Sequence, residues 1–436
     1  MKQYYKKIQE IAKELKPEAV DFACQTIRVR SLSGEEKEVS NLYLNKMEEI
    51  GYDEVFRDDW GNIIGIIKGQ EPGPTIMYNG HMDTVPEGEH SLWGKYDPYG
   101  AEIDVSEVDN QDMNEKEMTE VIHGRGASDV KGGLACQIYA GKVLLKLRQQ
   151  GTLLKGNFMV AGVTMEECGD QIGTIKLIDD TFHKKGLDYD GVISCEPTKL
   201  KIALGHRGRM EILVSVFGKA CHGSSPWLGV NAVFMANKLI DRIANELPKK
   251  FPTDPDLGRS TITLTMIGCS PNANCIVPDR CDFLLDRRFI PEETPDMCVQ
   301  QIQEIIDVHK KEEPGFQAEV KIAEYERNFY TGKSITFANV KESYKIPQNH
   351  SFVQAVARGI AAVNQPVKYQ YWSFGTDMPK ICVTDHKPAI GYSPMQEPYI
   401  HTPEDKVRID YMEKSIAGYA SIFLNLMELP KEAFRL

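Results

Sequence analysis

The 436-residue sequence lacks several features that would indicate other classes of protein. None of its ten cysteines are spaced as Cys-x-x-Cys, which argues against zinc ribbons and thioredoxin-like redox sites. No apolar run approaches the roughly 18 residues that a membrane helix needs. The charged stretch 1–16 has no apolar core of the kind found in secretory signals. We therefore expect a cytoplasmic protein with free thiols and no membrane partner.

Basic residues are also too few to favour nucleic acid as a partner. The chain has 51 Lys and Arg against 63 Asp and Glu, a net charge of −12, whereas binding to phosphate backbones needs clustered cations. Hydrophobic residues make up 42% and charged residues 26%, as in ordinary globular proteins. A chain of this length is too long to fold around a single hydrophobic core, so two domains are expected.

The stretch 78–86 contains the first candidate site. The apolar run 75–78 predicts a short buried strand, and His81 and Asp83 follow it closely. Side chains two residues apart point to the same side of an extended chain, and open α/β sheets bind ligands at the carboxyl ends of their strands. A carboxylate can also fix the tautomer of a metal-binding imidazole. A histidine in a loop is more often only solvated, so this pair alone leaves metal binding open.

Strands and helices alternate along most of the chain. Apolar strands at 156–163 and 191–194 are each followed by acidic residues, which is typical of a doubly wound α/β domain with its site at the strand ends. The order β, α, β, β, α, β then predicts a ferredoxin-like α+β unit at 208–325. We predict that this unit is inserted into a discontinuous domain formed by 1–207 and 326–436.

Three local patterns lead to further expectations. Periodicity predicts one helix over 1–15 and a second over about 17–29, and Ser33 with Glu36 resembles a capping box. The acidic stretch 104–120 is predicted to be an exposed surface insertion, because solvated loops are commoner than acidic metal-binding runs.

Six candidate ligands or bases follow the predicted strands. They are His81, Asp129, Glu166, Glu167, Glu196 and His401. Two metal ions about 3.5–4 Å apart need a bridging carboxylate and terminal His or carboxylate ligands, and one carboxylate would remain to accept a proton from water. Glu166 and Glu167 could divide these duties, although paired glutamates usually form a solvated face. The glycine-rich stretch 123–133 lacks the spacing of phosphate-binding loops, so nucleotide binding is not expected.

The ordered motifs resemble those of a known family. They are Gly-His-Met-Asp-Thr-Val-Pro at 80–86, the glycine-rich segment 124–133, Glu166-Glu167, Glu196-Pro197-Thr198, His222-Gly223, Gly375-Thr376-Asp377 and His401. The chain resembles the M20 metallopeptidases, which include succinyl-diaminopimelate desuccinylase, acetylornithine deacetylase, aminoacylase and carboxypeptidase G2. It is also similar to the family's selenium-metabolism hydrolases. The resemblance implies a zinc-hydrolase domain with an inserted domain that serves as lid and dimerisation domain.

The resemblance also implies a set of metal ligands. Asp129 would bridge two divalent ions and precede a cis peptide bond. His81 and Glu196 would complete the coordination of one ion, and Glu167 and His401 that of the other. Zinc is the expected metal, with cobalt or manganese as alternatives.

The remaining roles implied by the resemblance concern proton transfer and substrate binding. Glu166 would be the general base, and Asp83 would orient His81. His222 of the lid would reach the active site of a partner subunit and stabilise the oxyanion. Arg288 would bind a substrate carboxylate, and Asn274 would contact the substrate amide, although the family often has asparagine one position later.

Together these residues predict a dinuclear-metal amidohydrolase or peptidase. It would cleave a C–N amide bond of a small carboxylate-bearing N-acyl amino acid or dipeptide, through a metal-bound hydroxide with a glutamate base, and it would form a homodimer. One alternative is hydrolysis of an N-carbamoyl (ureido) amino acid. Another is a catalytically silent small-ligand binding protein on the same fold.

Overall fold

A computed structural model describes residues 2–110 and 116–436 of the chain. Its α-helices are α1 (Lys2–Ile27), α2 (Lys37–Ile50), α3 (Gly132–Gln149), α4 (Ile172–Lys176), α5 (His183–Lys185), α6 (Ala232–Glu246), α7 (Pro295–Glu312), α8 (Ser351–Ala362) and α9 (Ile409–Leu426). None of the described helices is long and apolar enough to cross a membrane.

The described strands form a large sheet, a smaller sheet, a three-stranded sheet and three short pairs. In chain order they are β1 (Glu54–Arg57), β2 (Ile63–Lys68), β3 (Glu71–His81), β4 (Ile103–Asp109), β5 (Lys116–His123), β6 (Lys155–Val163), β7 (Gly191–Ser194), β8 (Ile202–His206), β9 (Gly208–Phe217), β10 (Cys221–His222), β11 (Thr253–Asp254), β12 (Gly258–Arg259), β13 (Thr261–Ser270), β14 (Ile276–Val277), β15 (Arg280–Phe289), β16 (Gln317–Ile322), β17 (Glu324–Asn328), β18 (Ser334–Ala338), β19 (Val340–Lys341), β20 (Tyr344–Lys345), β21 (Tyr369–Trp372), β22 (Ala389–Gly391) and β23 (Lys406–Arg408).

The large sheet is the core of the first unit. Its order is β1-β2-β6-β3-β7-β22-β8-β20, with β21 beside β8. The central strands β6, β3, β7 and β22 run parallel, whereas β1 and β2 are antiparallel at one side. Their near-continuous apolar sequences suit a parallel sheet covered by helices, and residues of α1, α3, α8 and α9 complete this hydrophobic core. The expected mixed-sheet α/β domain is therefore confirmed.

The smaller sheet belongs to the inserted unit. Its strands lie in the order β13-β15-β9-β16, all antiparallel, which is the order of a ferredoxin-like fold. Helices α6 and α7 pack on it and form a second, separate core. The expected ferredoxin-like unit, called the lid below, is thus present, while its role as a lid and its boundaries at 208 and 325 stay predictions. Strand β19, beyond that second boundary, also pairs with β9.

Two local expectations near the N-terminus are wrong. The two predicted helices are one continuous helix, α1, with Pro17 exposed inside it. Leu15 and Ala19 on either side of the proline both enter the main core, and this packing outweighs the local preference of proline. The capping box is also absent, because Ser33 donates to Asp83 and the carboxylate of Glu36 accepts from the backbone of Gly34.

The described parts of the acidic stretch 104–120 lie largely in two strands, where a solvated loop was expected. Strands β4 and β5 pair as an antiparallel hairpin, and β23 adds a third strand. Seven of the 15 residues of β4 and β5 are exposed, so the expected exposure holds for only part of the two strands, and Val108 and Val121 are buried against Tyr399. Residues 111–115 of this stretch lie outside the described residues.

Replacing Pro17 with alanine should stabilise the protein. A proline inside a helix removes one backbone hydrogen bond, and because Pro17 is exposed its loss sacrifices little packing. We expect the free energy of unfolding to rise by about 1–2 kcal/mol after allowance for the greater entropy of the unfolded chain. Urea-induced unfolding followed by circular dichroism measures this change. Lys13→Ala, also exposed on α1, is the control and should change little.

Candidate metal centre

Three neighbouring parallel strands bring the candidate residues together. His81 is the last residue of β3, which lies between β6 and β7 in the sheet. Glu166 and Glu167 follow the end of β6, and Glu196 follows the end of β7. Because parallel strands end at the same edge of a sheet, these four side chains converge on one spot.

The first group of potential ligands consists of His81, Asp129 and Glu196, all buried. The Nε2 atom of His81 lies 3.1 Å from Oδ1 of Asp129 and 3.7 Å from Oε1 of Glu196. Its Nδ1 atom lies 2.8 Å from the main-chain carbonyl oxygen of Asp83. A carbonyl oxygen only accepts, so Nδ1 carries a proton, and Nε2 faces two carboxylates. A cation on Nε2, either a proton or a metal ion, satisfies this arrangement.

The second group consists of Asp129, Glu167 and His401. The Nε2 atom of His401 lies 2.9 Å from Oδ2 of Asp129 and 3.1 Å from Oε2 of Glu167. Oδ1 of Asp129 therefore lies near His81 of the first group, and Oδ2 lies near His401 of the second. The expected cis peptide bond is present between Asp129 and Val130.

The pKa values of these groups reflect crowded negative charge. Burial, with repulsion from Asp129, raises the pKa of Glu167 to about 7. Burial, with repulsion from Glu166, raises the pKa of Glu196 well above its usual range. Hydrogen bonds to Asp129 and Glu167 raise the pKa of His401 to about 10. Each shift indicates that positive charge is favoured here, so the donor set fits divalent cations.

Asp83 supports the site differently from our expectation. Its carboxylate lies 3.6 Å from Nδ1 of His81, which instead contacts the main-chain oxygen of Asp83. The carboxylate accepts hydrogen bonds from the backbone N–H groups of Glu166 and Glu167 and from the hydroxyl of Ser33, at 3.2, 3.0 and 2.6 Å. Asp83 therefore fixes the turn that carries both glutamates.

A cavity of about 420 Å³ opens beside these groups, between the sheet edge and the lid. Glu166 lines it and forms an ion pair through Oε1 with the Nζ atom of Lys341. Arg288 also lines it, half-buried, with its Nε atom donating to Asp286 at 2.7 Å. Arg288 therefore lies where a substrate group could reach it.

Two predicted residues of the lid lie elsewhere. His222 is exposed on β10, where its Nδ1 atom is 2.7 Å from the hydroxyl of Ser224. Asn274 is exposed in the turn before β14. Among the described residues neither lines the cavity of this chain, so their roles stay a prediction.

Sequence reasoning missed the residues that hold the Asp129 loop. Buried Asp405 accepts hydrogen bonds from the backbone N–H groups of Gly126 and Ser128, at 2.7 and 2.8 Å, and pairs with Arg125 at 3.1 Å. The only sequence clue was that Asp405 lies four residues after His401. These bonds tie the loop before α3 to the segment that carries His401.

Comparison with known proteins agrees with this geometry. The sequence pattern of peptidase family M20/M25/M40 matches residues 77–425. The chain belongs to this family. It is 32% identical over 426 residues to the uncharacterised protein YgeY of Escherichia coli K12, with 97% of each chain covered. The protein is therefore a metal-dependent hydrolase of the M20 type.

Two further relatives show how widely the family varies. A probable succinyl-diaminopimelate desuccinylase of Staphylococcus epidermidis is 31% identical over 173 residues, which cover 40% of this chain and 37% of that one. The crystal structure of the Bacillus subtilis YXEP protein, a dinuclear metal binding peptidase, matches with a TM-score of 0.65 and 16% identity, covering 95% and 99% of the two chains. The latter likeness concerns the fold.

Removing the carboxylate of Asp405 should destabilise the protein strongly. Asp405→Ala leaves the buried guanidinium of Arg125 and two backbone N–H groups without this acceptor. We expect a loss of about 3–5 kcal/mol in the free energy of unfolding, measured by urea-induced unfolding. Glu404→Ala is the matched control, because Glu404 is 75% exposed and should contribute less than about 0.5 kcal/mol. A loss equal to that of the control would contradict the bracing role.

Proposed function

We propose that the protein is a dinuclear-metal amidohydrolase that cleaves a C–N amide bond of a small carboxylate-bearing N-acyl amino acid or dipeptide. One observation carries this proposal. Asp129 belongs to both of the three-residue groups that could each hold an ion, and it contributes one oxygen to each. A further buried carboxylate, that of Glu166, lines the adjoining cavity.

In this proposal Asp129 would be shared by the two ions. His81 and Glu196 would complete one site, and Glu167 and His401 would complete the other, with zinc as the proposed metal and cobalt or manganese as alternatives. When bound, the two ions activate a water molecule and polarise the scissile carbonyl group. Mixed imidazole and carboxylate donors are suited to these borderline divalent metals.

The chain's own residues move the proton and hold the substrate. Glu166 takes the proton of the attacking water and gives it to the leaving amine, so that one group acts first as base and then as acid. Arg288 binds the substrate carboxylate, because a guanidinium pairs with it through two parallel hydrogen bonds. Its position in the lining of the same cavity as Glu166 supports this role.

We further propose a homodimer in which His222 of one subunit stabilises the oxyanion in the site of the other. The lid exposes several large apolar side chains, together called the lid patch below, and we propose that such a dimer covers them. The lid patch consists of Trp227, Leu228, Phe234, Met266 and Ile267, between 55% and 76% exposed. An exposed apolar patch of this kind is typical of an association surface.

Removing the proposed base should lower turnover without lowering the amount of bound metal. In Glu166→Ala we expect turnover to fall by about 10²–10⁴-fold, while bound metal stays near two ions per chain, as in the wild type. Elemental analysis of protein purified without chelator gives the metal content. Turnover is measured with a panel of N-acyl amino acids, N-carbamoyl amino acids and dipeptides.

The control for this experiment is Asp129→Ala. Because Asp129 belongs to both groups, this variant should lose most of both metals together with turnover. Unchanged turnover in Glu166→Ala would mean that the base is misassigned, and wild-type protein without metal after reconstitution would refute the mechanism. Hydrolysis confined to N-carbamoyl substrates would instead identify a ureido amidohydrolase.

A charged substitution in the lid patch tests the dimer. Phe234 is 70% exposed, so Phe234→Asp should leave the fold intact while giving a monomer in light scattering and low turnover. Leu92→Asp, at 64% exposure outside the patch, is the control. Mixing inactive His222→Ala with inactive Glu166→Ala should restore part of the turnover, because a mixed dimer contains one intact site. No recovery from stable mixed dimers would contradict action across the interface.

A further inference from the structure

A buried lysine contacts the proposed base, although no local sequence pattern indicates such a contact. The Nζ atom of Lys341 forms an ion pair with Oε1 of Glu166 and lies 3.6 Å from Oδ1 of Asp377. Asp377 in turn accepts a hydrogen bond of 2.5 Å from the hydroxyl of Thr174. Lys341 and Asp377 are both buried, and Asp377 belongs to the Gly375-Thr376-Asp377 motif that the proposed mechanism does not use.

The charges of this cluster explain why the ammonium is retained. Burying an ammonium group is costly unless it is paired and hydrogen-bonded, and Lys341 has a carboxylate on either side. The negative charge of Asp377, 3.6 Å from Nζ, balances part of the charge of Lys341, and Lys341 in turn contacts one oxygen of Glu166. Because the ion pair uses Oε1, the other oxygen of that carboxylate, Oε2, can accept a proton.

The backbone of Lys341 is also well fixed. It lies on β19, which pairs with β9 of the lid so that Lys341 stands opposite Arg209. Lys341 therefore contacts Glu166 from a strand that is paired with the lid, whereas Glu166 follows β6 of the large sheet. The ion pair with Lys341 therefore restricts rotation of the Glu166 carboxylate.

We propose that Lys341, held by Asp377, is a positioning residue that orients the carboxylate of Glu166 for proton transfer. This inference rests on the proposed function, in which Glu166 is the base. A general base must lie within hydrogen-bonding distance of the proton that it removes, and small misplacements of a reacting group are costly. Lys341 acts through Glu166 and need not touch the substrate.

The main test is a double-mutant cycle between Lys341→Met and Glu166→Ala, with metal-loaded protein and the substrate identified by the panel. For Lys341→Met we expect kcat to fall by about 10–100-fold, with KM within about twofold of the wild type and metal content unchanged. In the Glu166→Ala background the same substitution should cause no further loss, because its effect passes through the missing carboxylate.

Two further variants guard against a merely structural explanation. Lys380→Met removes another buried lysine, which pairs with Asp179 and Asp385 away from the cavity, and it should leave kcat unchanged. Asp377→Asn retains Lys341 but removes the negative charge beside its ammonium group. We therefore expect kcat to fall by a smaller factor than in Lys341→Met. If Lys341→Met does not fold, Asp377→Asn alone decides the question by the same split of kcat from KM.

Several outcomes would overturn the inference. A raised KM with unchanged kcat would make Lys341 a substrate contact, and additive losses in the cycle would make it independent of Glu166. A crystal structure of Lys341→Met with the Glu166 carboxylate unmoved would also refute positioning, and this measurement needs no turnover. Failure of the proposed function looks different: the wild type would hydrolyse nothing in the panel, or Glu166→Ala would remain active.

Discussion

Buried negative charge is the constraint on which the catalytic unit depends. Four carboxylates, those of Asp129, Glu166, Glu167 and Glu196, meet at one edge of the large sheet with little exposure to water. Like charges at this distance repel one another, and burial removes the water that would screen them. The folded chain supplies some compensation through imidazole and ammonium groups, and divalent cations would supply the rest. In the proposed function, folding, metal binding and chemistry would therefore depend on the same few side chains.

Two other buried aspartates do the structural work around this charge. Asp83 accepts hydrogen bonds from the backbone N–H groups of Glu166 and Glu167. Asp405 accepts them from two backbone N–H groups of the loop that carries Asp129. Each carboxylate holds the main chain of a turn that carries proposed ligands, and neither aspartate is itself one of the proposed ligands. The arrangement resembles the outer-shell support that tunes many metal sites.

The sequence was informative where the cause was local. Strand ends followed by His81, by Glu166 and by Glu196 could be recognised because alternation and apolar runs are short-range patterns. Lys341 and Asp405 could not be found in this way, because their partners lie far away in the chain and only the fold brings them together. The continuous helix α1 was missed for a related reason. Packing against distant parts of the core outweighs what Pro17 favours locally.

The two ligand groups differ in their exposure to solvent. The side chains of His81 and Glu196 are 1% and 9% exposed, whereas that of His401 is 49% exposed. An ion on the His401 side could therefore leave or enter without disturbing the sheet, while an ion on the His81 side would be enclosed. The two positions would exchange their metals at different rates, so partial removal by a chelator would produce a singly loaded protein before an empty one. Asp129 would then bind only the ion on the His81 side. That ion would be retained, whereas the ion on the His401 side could be replaced.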